Sequence, residues 1–179
     1  TSGTTSNSKG VLIPYRALWS NYQFAIEVLG AKVPAGSRII SMLPMAHMYG
    51  MAFEFIFEFI QGIHVHYLTR LPSPKVIIEA FREVQPAVVI SVPLIIEKII
   101  KKNVMPKLAT PSMKLLLRVP MISDKILHKV RDQIQSVFGG KFYEVIIGGA
   151  ALNKEVEQFL HKIPFNYTVG YGATECAPS

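Results

Sequence analysis

The sequence is poor in cysteine, in charged residues and in long apolar runs. Among 179 residues there is one cysteine, Cys176, which cannot form a disulfide within the chain and agrees with a reducing compartment. Charged residues make up 17% and hydrophobic residues 50%, which excludes a disordered polar chain and predicts one well-buried core. No apolar run reaches the roughly 18 residues of a membrane-spanning helix, because Glu54, Glu58 and Gln61 interrupt the most hydrophobic stretch, residues 51–63.

The sequence also lacks an initiator methionine and a signal-peptide pattern at its start. We therefore expect a piece of a larger cytoplasmic protein, whose location could include the inner face of a membrane. The net charge of +7 raises the alternatives of nucleic acid or an acidic membrane surface as partner. The basic stretch from Lys98 to Lys107 is better explained as the solvated face of a helix, so no nucleic acid partner is expected.

Short β-branched runs alternate with amphipathic segments of helical length, a pattern typical of βα units. It predicts an α/β fold, a mostly parallel sheet with helices on both faces, formed by residues 1–179 as a single subdomain. The predicted strands are residues 38–42, 64–68, 87–91, 142–147 and 166–171. The predicted helices are residues 15–29, 49–61, 74–84, 94–104 and 123–138, and a short helix capped by Asn153. Residues 102–120 contain three prolines and are predicted to leave the sheet, as an excursion or a short isolated helix.

The first ten residues, TSGTTSNSKG, are rich in hydroxyl groups and end in Lys9 and Gly10. Inward-facing amides, hydroxyls and one lysine suit a polyphosphate, although a flexible polar terminus has the same composition. A Walker A loop is excluded, because it needs glycine before the lysine and serine or threonine after it. Three further segments follow predicted strands, where open α/β sheets place ligand groups: LPMAHMYG at residues 43–50, IGGAAL at 147–152 and GYGATE at 170–175.

These four segments, in this order, resemble the motifs of the adenylate-forming enzymes, the superfamily of acyl-CoA synthetases, luciferases and peptide-synthetase adenylation domains. Ser6 and Ser8 depart from the family pattern, which usually has glycine and proline there. The stretch VPLIIEK at residues 92–98 resembles long-chain fatty acyl-CoA synthetases in particular. The resemblance implies that ATP and a fatty acid carboxylate form acyl-AMP, and that the thiol of coenzyme A then displaces AMP.

The resemblance also implies roles for individual residues. Thr1 and Glu175 are the expected Mg²⁺ ligands, and Thr174 is expected to contact the α-phosphate. His47 is expected to position the acyl carboxylate, and Lys9 to be a phosphate-binding or loop-ordering cation. The residues expected to bind ATP are Thr1, Ser2, Gly3, Thr4, Thr5 and Lys9 at the phosphates, Gly148, Gly149 and Ala150 at the adenine, and Gly170, Tyr171, Gly172 and Thr174 at the closing motif.

The family's ribose-binding aspartate, hinge and C-terminal catalytic lysine do not occur in these 179 residues, so we expect the chain alone to be inactive. Two alternatives stay open. One is an adenylation domain that activates an amino or aryl acid for a carrier protein. The other is a nucleotide-binding domain without catalysis, which the substitutions at Ser6 and Ser8 would favour. Residues 51–63 could form an acyl-tunnel wall, but an apolar helix is more often plain core. Acyl chain length and oligomeric state cannot be inferred from the sequence.

Overall fold

A computed structural model describes residues 10–177, which form alternating helices and short parallel strands. The strands are β1 (Arg38–Ser41), β2 (His64–Tyr67), β3 (Val88–Ser91), β4 (Glu144–Ile147) and β5 (Tyr167–Val169). The α-helices are α1 (Tyr15–Leu29), α2 (Met48–Met51), α3 (Phe57–Gln61), α4 (Pro74–Val84), α5 (Pro93–Asn103), α6 (Met105–Leu108), α7 (Pro111–Leu116), α8 (Pro120–Val137) and α9 (Lys154–Lys162). A π-helical turn, π1 (Ala52–Ile56), joins α2 to α3, and a 3-10 turn covers Thr174–Cys176.

The strands pair in parallel throughout the described residues. Strand β1 pairs with β2 from Arg38 opposite His64 to Ser41 opposite Tyr67. These two strands form one small sheet, and β3, β4 and β5 form a three-stranded sheet with β4 in the middle. The Ala87 amide donates to the Arg38 carbonyl at 2.8 Å, which places the start of β3 beside β1. The predicted parallel α/β fold is confirmed.

Helices cover both faces of this sheet. Neighbouring residues of a strand point to opposite faces, so their contacts show which helices lie on each side. Val89 packs in a large core that includes residues of α4, α5, α8 and α9, whereas Val88 packs in a smaller core with residues of α1 and α3. The lysines from Lys98 to Lys107 are exposed, as predicted for a solvated helix face. No helix among residues 10–177 is both long enough and apolar enough to span a membrane.

Local signals in the sequence account for most helix boundaries. Asn153 caps α9 as predicted, since its side-chain oxygen accepts from the amides of Glu155 at 3.1 Å and Val156 at 3.3 Å. Ser73 accepts from Val76 at the start of α4, and Pro74 occupies the first turn, where a missing amide costs no hydrogen bond. Helix α3 ends at Gly62, whose φ of +71° is left-handed.

Many predicted bounds differ from those in the structure by one to three residues, and α8 begins at Pro120 where residue 123 was expected. Two elements differ for a specific reason. Residues 49–61 form a continuous helical segment, but the π1 turn interrupts its α-helical hydrogen bonding. Strand β1 was predicted to include Met42 but ends at Ser41, because the amides of Met42 and Leu43 donate to the Glu54 carboxylate. Residues 102–120 leave the sheet as predicted, and contain α6 and α7.

Glu58 is a fully buried carboxyl group on α3. Neither of its carboxyl oxygens has a hydrogen-bond partner among residues 10–177. Burial, and secondarily the nearby Glu54 charge, raises the pKa of Glu58 from 4.5 to about 8. The folded chain therefore favours the protonated side chain, and this part of the stability is complete below pH 4.5 and is lost as the pH rises through 8.

Glutamine at position 58 should remove this pH dependence while keeping the side-chain size. We expect Glu58→Gln to match the wild type near pH 5 and to exceed its free energy of unfolding at pH 9 by several kcal/mol, on the order of 4. Urea denaturation between pH 5 and 9 measures the difference. Glu27→Gln, on the exposed side of α1, is the matched control. If the free energies of unfolding of the wild type and Glu58→Gln change in parallel with pH over this range, the folded state does not disfavour the ionised form of Glu58.

Candidate active site

A cavity of about 460 Å³ lies between α1 and the face of β4 and β5. Its lining is mostly apolar. Helix α1 contributes Phe24, Ala25, Val28 and Leu29; the segment around α2 contributes His47, Met48, Tyr49 and Phe53; the strands and the loops after them contribute Glu144, Ile146, Gly148, Gly149, Thr168, Val169, Gly170, Tyr171, Gly172, Ala173 and Thr174.

The cavity extends along β4, since its lining includes Glu144 at the start of this strand and Gly148 after its end, and α1 runs antiparallel to β4. Near the middle of α1, Asn21 donates a short hydrogen bond to the carbonyl of Ala177, next to the closing motif. Just beyond the other end of α1, the Lys32 ammonium lies 4.4 Å from the ring centroid of Tyr143, directly before β4. The cavity therefore has one end at the carboxyl ends of the strands, called the motif end here, and a far end at their amino ends.

The motif end combines residues that are distant in sequence. His47 and Tyr49 enter from the loop and helix after β1, Gly148 and Gly149 follow β4, and Thr174 follows β5. Parallel strands bring these segments to one edge of the sheet, the usual position of ligand sites in open α/β sheets. His47 is exposed and Thr174 is half-buried, so polar groups there can contact a ligand.

Tyr49 is held at this end from several sides. Its hydroxyl donates to the Ile146 carbonyl at 3.2 Å, and its ring packs edge-on against Phe53 at 5.8 Å between centroids. A Cβ atom on Gly148 would lie 2.9 Å from the tip of the ring, so only glycine leaves room for the tyrosine here. Burial, with a smaller contribution from Glu54, raises the Tyr49 pKa, so the hydroxyl stays a neutral donor.

Glu54 anchors the loop that carries His47. Its carboxylate accepts from the Leu43 amide at 2.8 Å, from the Met42 amide at 3.0 Å and from the Ser41 hydroxyl at 3.0 Å. Glu54 is fully buried, and burial raises its pKa to about 7 although these three donors act in the opposite direction. The π1 turn that contains Glu54 therefore fixes the end of β1 and the first residues of the LPMAHMYG segment.

The far end contains a carboxyl group and a hydroxyl group. Glu144 is the first residue of β4, and its carboxylate accepts from the Thr168 hydroxyl at 2.5 Å. Gly148 lies four residues beyond Glu144, so the two ends are about 13 Å apart at the rise of a strand. An extended chain of single bonds advances about 1.2 Å per bond, so roughly eleven bonds would fit in this length.

Comparison with known proteins shows the family to which the chain belongs. Residues 1–179 match the sequence model of the AMP-binding enzymes. The chain belongs to the AMP-binding enzyme family. It is 28% identical over 202 residues to long-chain-fatty-acid–CoA ligase 2 of Schizosaccharomyces pombe, with 100% of this chain and 28% of the relative covered. It is 37% identical over 99 residues to the chloroplastic long-chain-fatty-acid–[acyl-carrier-protein] ligase AEE15 of Arabidopsis thaliana, covering 54% of this chain and 12% of that protein.

The fold is that of adenylate-forming enzymes. The structure superposes on the N-terminal domain of FACL13 from Mycobacterium tuberculosis with a TM-score of 0.63 at 20% identity, covering 99% of this chain and 36% of that one. At this identity the likeness concerns the fold. The chain thus spans 28% of the length of the yeast ligase, and about a third of the structural neighbour.

The structure brings several predicted site residues together. The cavity lining includes His47, Gly148, Gly149, Gly170, Tyr171, Gly172 and Thr174. Ala150 and Glu175 do not line it, and both are exposed beside it in the chain. Thr1, Ser2, Gly3, Thr4, Thr5 and Lys9 lie outside the described residues, so the phosphate loop stays a prediction.

Within residues 10–177 the acidic side chains do not form a complete metal site. Across residues 10–177 no three His, Cys, Asp or Glu side chains are close enough to hold an ion. Glu175 is exposed, with no hydrogen bond or ion pair to any described residue. A single free carboxylate fits the way Mg²⁺ binds beside nucleotides, with one or two carboxylates and with phosphate oxygens and water as the remaining ligands.

Several residues of this site were not predicted from the sequence. The α1 side chains Phe24 and Val28 line the cavity, although the sequence indicated only an amphipathic helix. Among residues 51–63 only Phe53 lines it, whereas Phe57 is core and Phe59 is exposed. The sequence does single out Glu54, since two glutamates in an otherwise apolar helix are unusual and need partners or a function.

Proposed function

We propose that the polypeptide containing this chain is an ATP-dependent acid–thiol ligase that activates a long-chain fatty acid as acyl-AMP and transfers the acyl group to coenzyme A. Residues 1–179 would be one α/β subdomain of its larger nucleotide- and acid-binding domain. The observation that carries this proposal is the lining of the cavity. The lining is mostly apolar along β4 and has the family's motif residues at one end, so a linear acid would present its carboxylate to the nucleotide while its chain lies along β4.

The cavity favours a linear fatty acid over an amino acid. An amino acid carries its ammonium within a few ångströms of the carboxylate, and that charge needs a nearby anion. Glu144 is the acidic residue of the lining, and it lies about 13 Å from Gly148 at the opposite end. Around the motif end the described lining offers apolar side chains, glycines, His47 and Thr174. A long alkyl chain satisfies this lining, and the names of the relatives point to the same substrate class.

At the motif end the proposed roles follow from charge. A carboxylate must approach an anionic triphosphate, so the site has to neutralise and orient the phosphates. Thr174 would donate its hydroxyl to the α-phosphate, His47 would hydrogen-bond the acid carboxylate, and Tyr171, whose side chain is 94% exposed, would offer its ring face to the adenine.

The adenine edge would lie against the small residues Gly148, Gly149 and Ala150, where a flat ring can approach the backbone. Gly170 and Gly172 would give the same closeness on the other side. Thr1 to Thr5 and Lys9 would bind the β- and γ-phosphates. Mg²⁺, held by Glu175 and Thr1, would supply charge neutralisation at the phosphates during pyrophosphate departure.

The acceptor is the part of the proposal that needs a direct test, because one relative uses coenzyme A and the other an acyl carrier protein. The full-length protein would be incubated with ATP, Mg²⁺ and dodecanoate, and with either coenzyme A or a phosphopantetheinylated carrier protein. Mass spectrometry would identify the thioester. We expect acyl-CoA as the main product. If the carrier protein is acylated and no acyl-CoA forms, the acceptor is a carrier protein and not coenzyme A. If acyl-AMP forms but neither thioester is found, the protein is not an acid–thiol ligase.

A further inference from the structure

The contact between Tyr49 and Gly148 has a consequence for the choice of acid. Both residues lie at the motif end. Tyr49 comes two residues after His47, and Gly148 follows β4, the strand beside β5, which precedes Thr174. In the proposed function the carboxylate of the acid is held at this end, so the first carbon atoms of its chain pass beside the Tyr49 ring. The inference therefore rests on the proposed function and specifies its substrate.

The position of the Tyr49 ring is determined by its surroundings. Its hydroxyl is tied to the Ile146 carbonyl, Gly148 lies against its tip, and Leu43 and Ile90 pack around it in one buried cluster. The backbone that carries it is equally constrained, since a Cβ on the next residue, Gly50, would lie 2.7 Å from the Pro44 carbonyl oxygen. The ring therefore cannot turn away without breaking a partly buried hydrogen bond.

We propose that Tyr49 sets the width of the acid site next to the reacting carboxylate, and that it excludes acids branched at the carbon adjacent to the carboxyl group. A branched acid needs room for one more methyl group at this point. Because its hydroxyl is hydrogen-bonded and its ring is packed, Tyr49 cannot move aside to make such room without displacing neighbouring side chains. Unbranched acids pass the ring with two hydrogens on that carbon.

The test compares two substrates in one enzyme preparation. The full-length protein is assayed for ATP–pyrophosphate exchange with dodecanoate and with 2-methyldodecanoate, and the ratio of the two kcat/KM values is determined. This ratio does not depend on the fraction of active enzyme, so a purely structural loss leaves it unchanged. A single methyl group changes kcat/KM by about 10- to 200-fold in an apolar pocket. We expect the wild type to prefer the unbranched acid within that range.

Three variants complete the experiment. Tyr49→Ala should lower the preference for the unbranched acid at least 10-fold, and Tyr49→Leu, which keeps more of the core volume, should lower it by a smaller factor. Phe57→Leu removes a comparable amount of buried ring outside the cavity, and it should leave the ratio at the wild-type value.

The possible failures are distinguishable. If the wild type activates neither acid, nor other fatty acids, the proposed function fails and this inference fails with it. If the wild type activates both acids equally well, the exclusion is wrong while the proposed function stands. If Tyr49→Ala and Tyr49→Leu are active and keep the wild-type ratio, another residue sets the width of the site.

Discussion

Glutamine in place of Glu175 is expected to lower acid-dependent pyrophosphate exchange by about 10- to 100-fold at a fixed, moderate Mg²⁺ concentration. The amide keeps the shape of the side chain but loses the charge that a hard cation prefers in its ligands. Glu175 has no hydrogen bond or ion pair within residues 10–177, so its replacement should leave the fold intact. The effect should therefore fall on catalysis rather than on stability.

A Mg²⁺ titration of the exchange rate separates metal binding from other roles of Glu175. The concentration needed for half-maximal activity should rise in Glu175→Gln, and added Mg²⁺ should restore part of the rate. Glu83→Gln, an exposed glutamate on α4, is the matched control and should behave as the wild type. Unchanged exchange with a normal Mg²⁺ requirement in Glu175→Gln would remove Glu175 from the metal site.

The second large effect is expected at Glu54. Alanine at this position should reduce the free energy of unfolding by about 3 kcal/mol or more, because it leaves the buried amides of Met42 and Leu43 without an acceptor and opens a cavity. The carboxylate's own burial cost, visible in its raised pKa, is recovered in the variant, and it offsets part of this loss. Urea denaturation at pH 7 measures the difference.

A double-mutant cycle with Ser41 measures how much of the Glu54 contribution comes from the hydrogen bond between the two side chains. Ser41→Ala removes one neutral donor and should cost about 1 kcal/mol in the wild type, but much less once Glu54 has been replaced. Phe55→Ala, at a partly exposed position of the same π1 turn, controls for the helix itself. Additive losses from Ser41→Ala and Glu54→Ala would show that the Ser41 hydroxyl does not contribute to the anchoring by the carboxylate, and a loss of less than about 1 kcal/mol in Glu54→Ala itself would show that the carboxylate does not anchor the end of β1.

Local sequence patterns were sufficient to predict most of the secondary structure. Residues 15–29 and 74–84 form helices over the predicted ranges. The Asn153 cap was predicted because asparagine accepts from free amides at a helix start, which is a local interaction. The parallel sheet followed from the alternation of β-branched runs and helices. In each case the signal lies within a few residues of the structure that it specifies.

The sequence could not predict features that depend on contacts between distant residues. Strand β1 ends one residue early because Glu54, twelve residues beyond Met42, takes up the amides that would continue the strand. Phe24 faces β4, more than a hundred residues away, and its amphipathic helix looks the same whether that face meets a core or a cavity. The cavity between α1 and the sheet results from how the elements pack, and the hydrophobic periodicity of one sequence does not report packing.

The structure gives the position of some predicted site residues and does not describe others. His47, Gly148, Gly149 and Thr174 share one cavity, an arrangement that motif order alone could suggest but not locate. Their chemical roles remain proposals, as do those of Thr1 to Thr5 and Lys9. Tyr49 lies in the LPMAHMYG segment but had no predicted role, because its importance comes from the absence of a side chain at Gly148.

The most direct test of the central claim is ATP–pyrophosphate exchange by the full-length protein with straight-chain carboxylic acids from two to eighteen carbons. If the cavity beneath α1 is the acid site, exchange should depend on the acid, should require Mg²⁺, and should rise with chain length to about ten carbons or beyond, as the alkyl chain fills the apolar channel. Exchange with amino or aryl acids alone, or no exchange with any acid, would contradict the account.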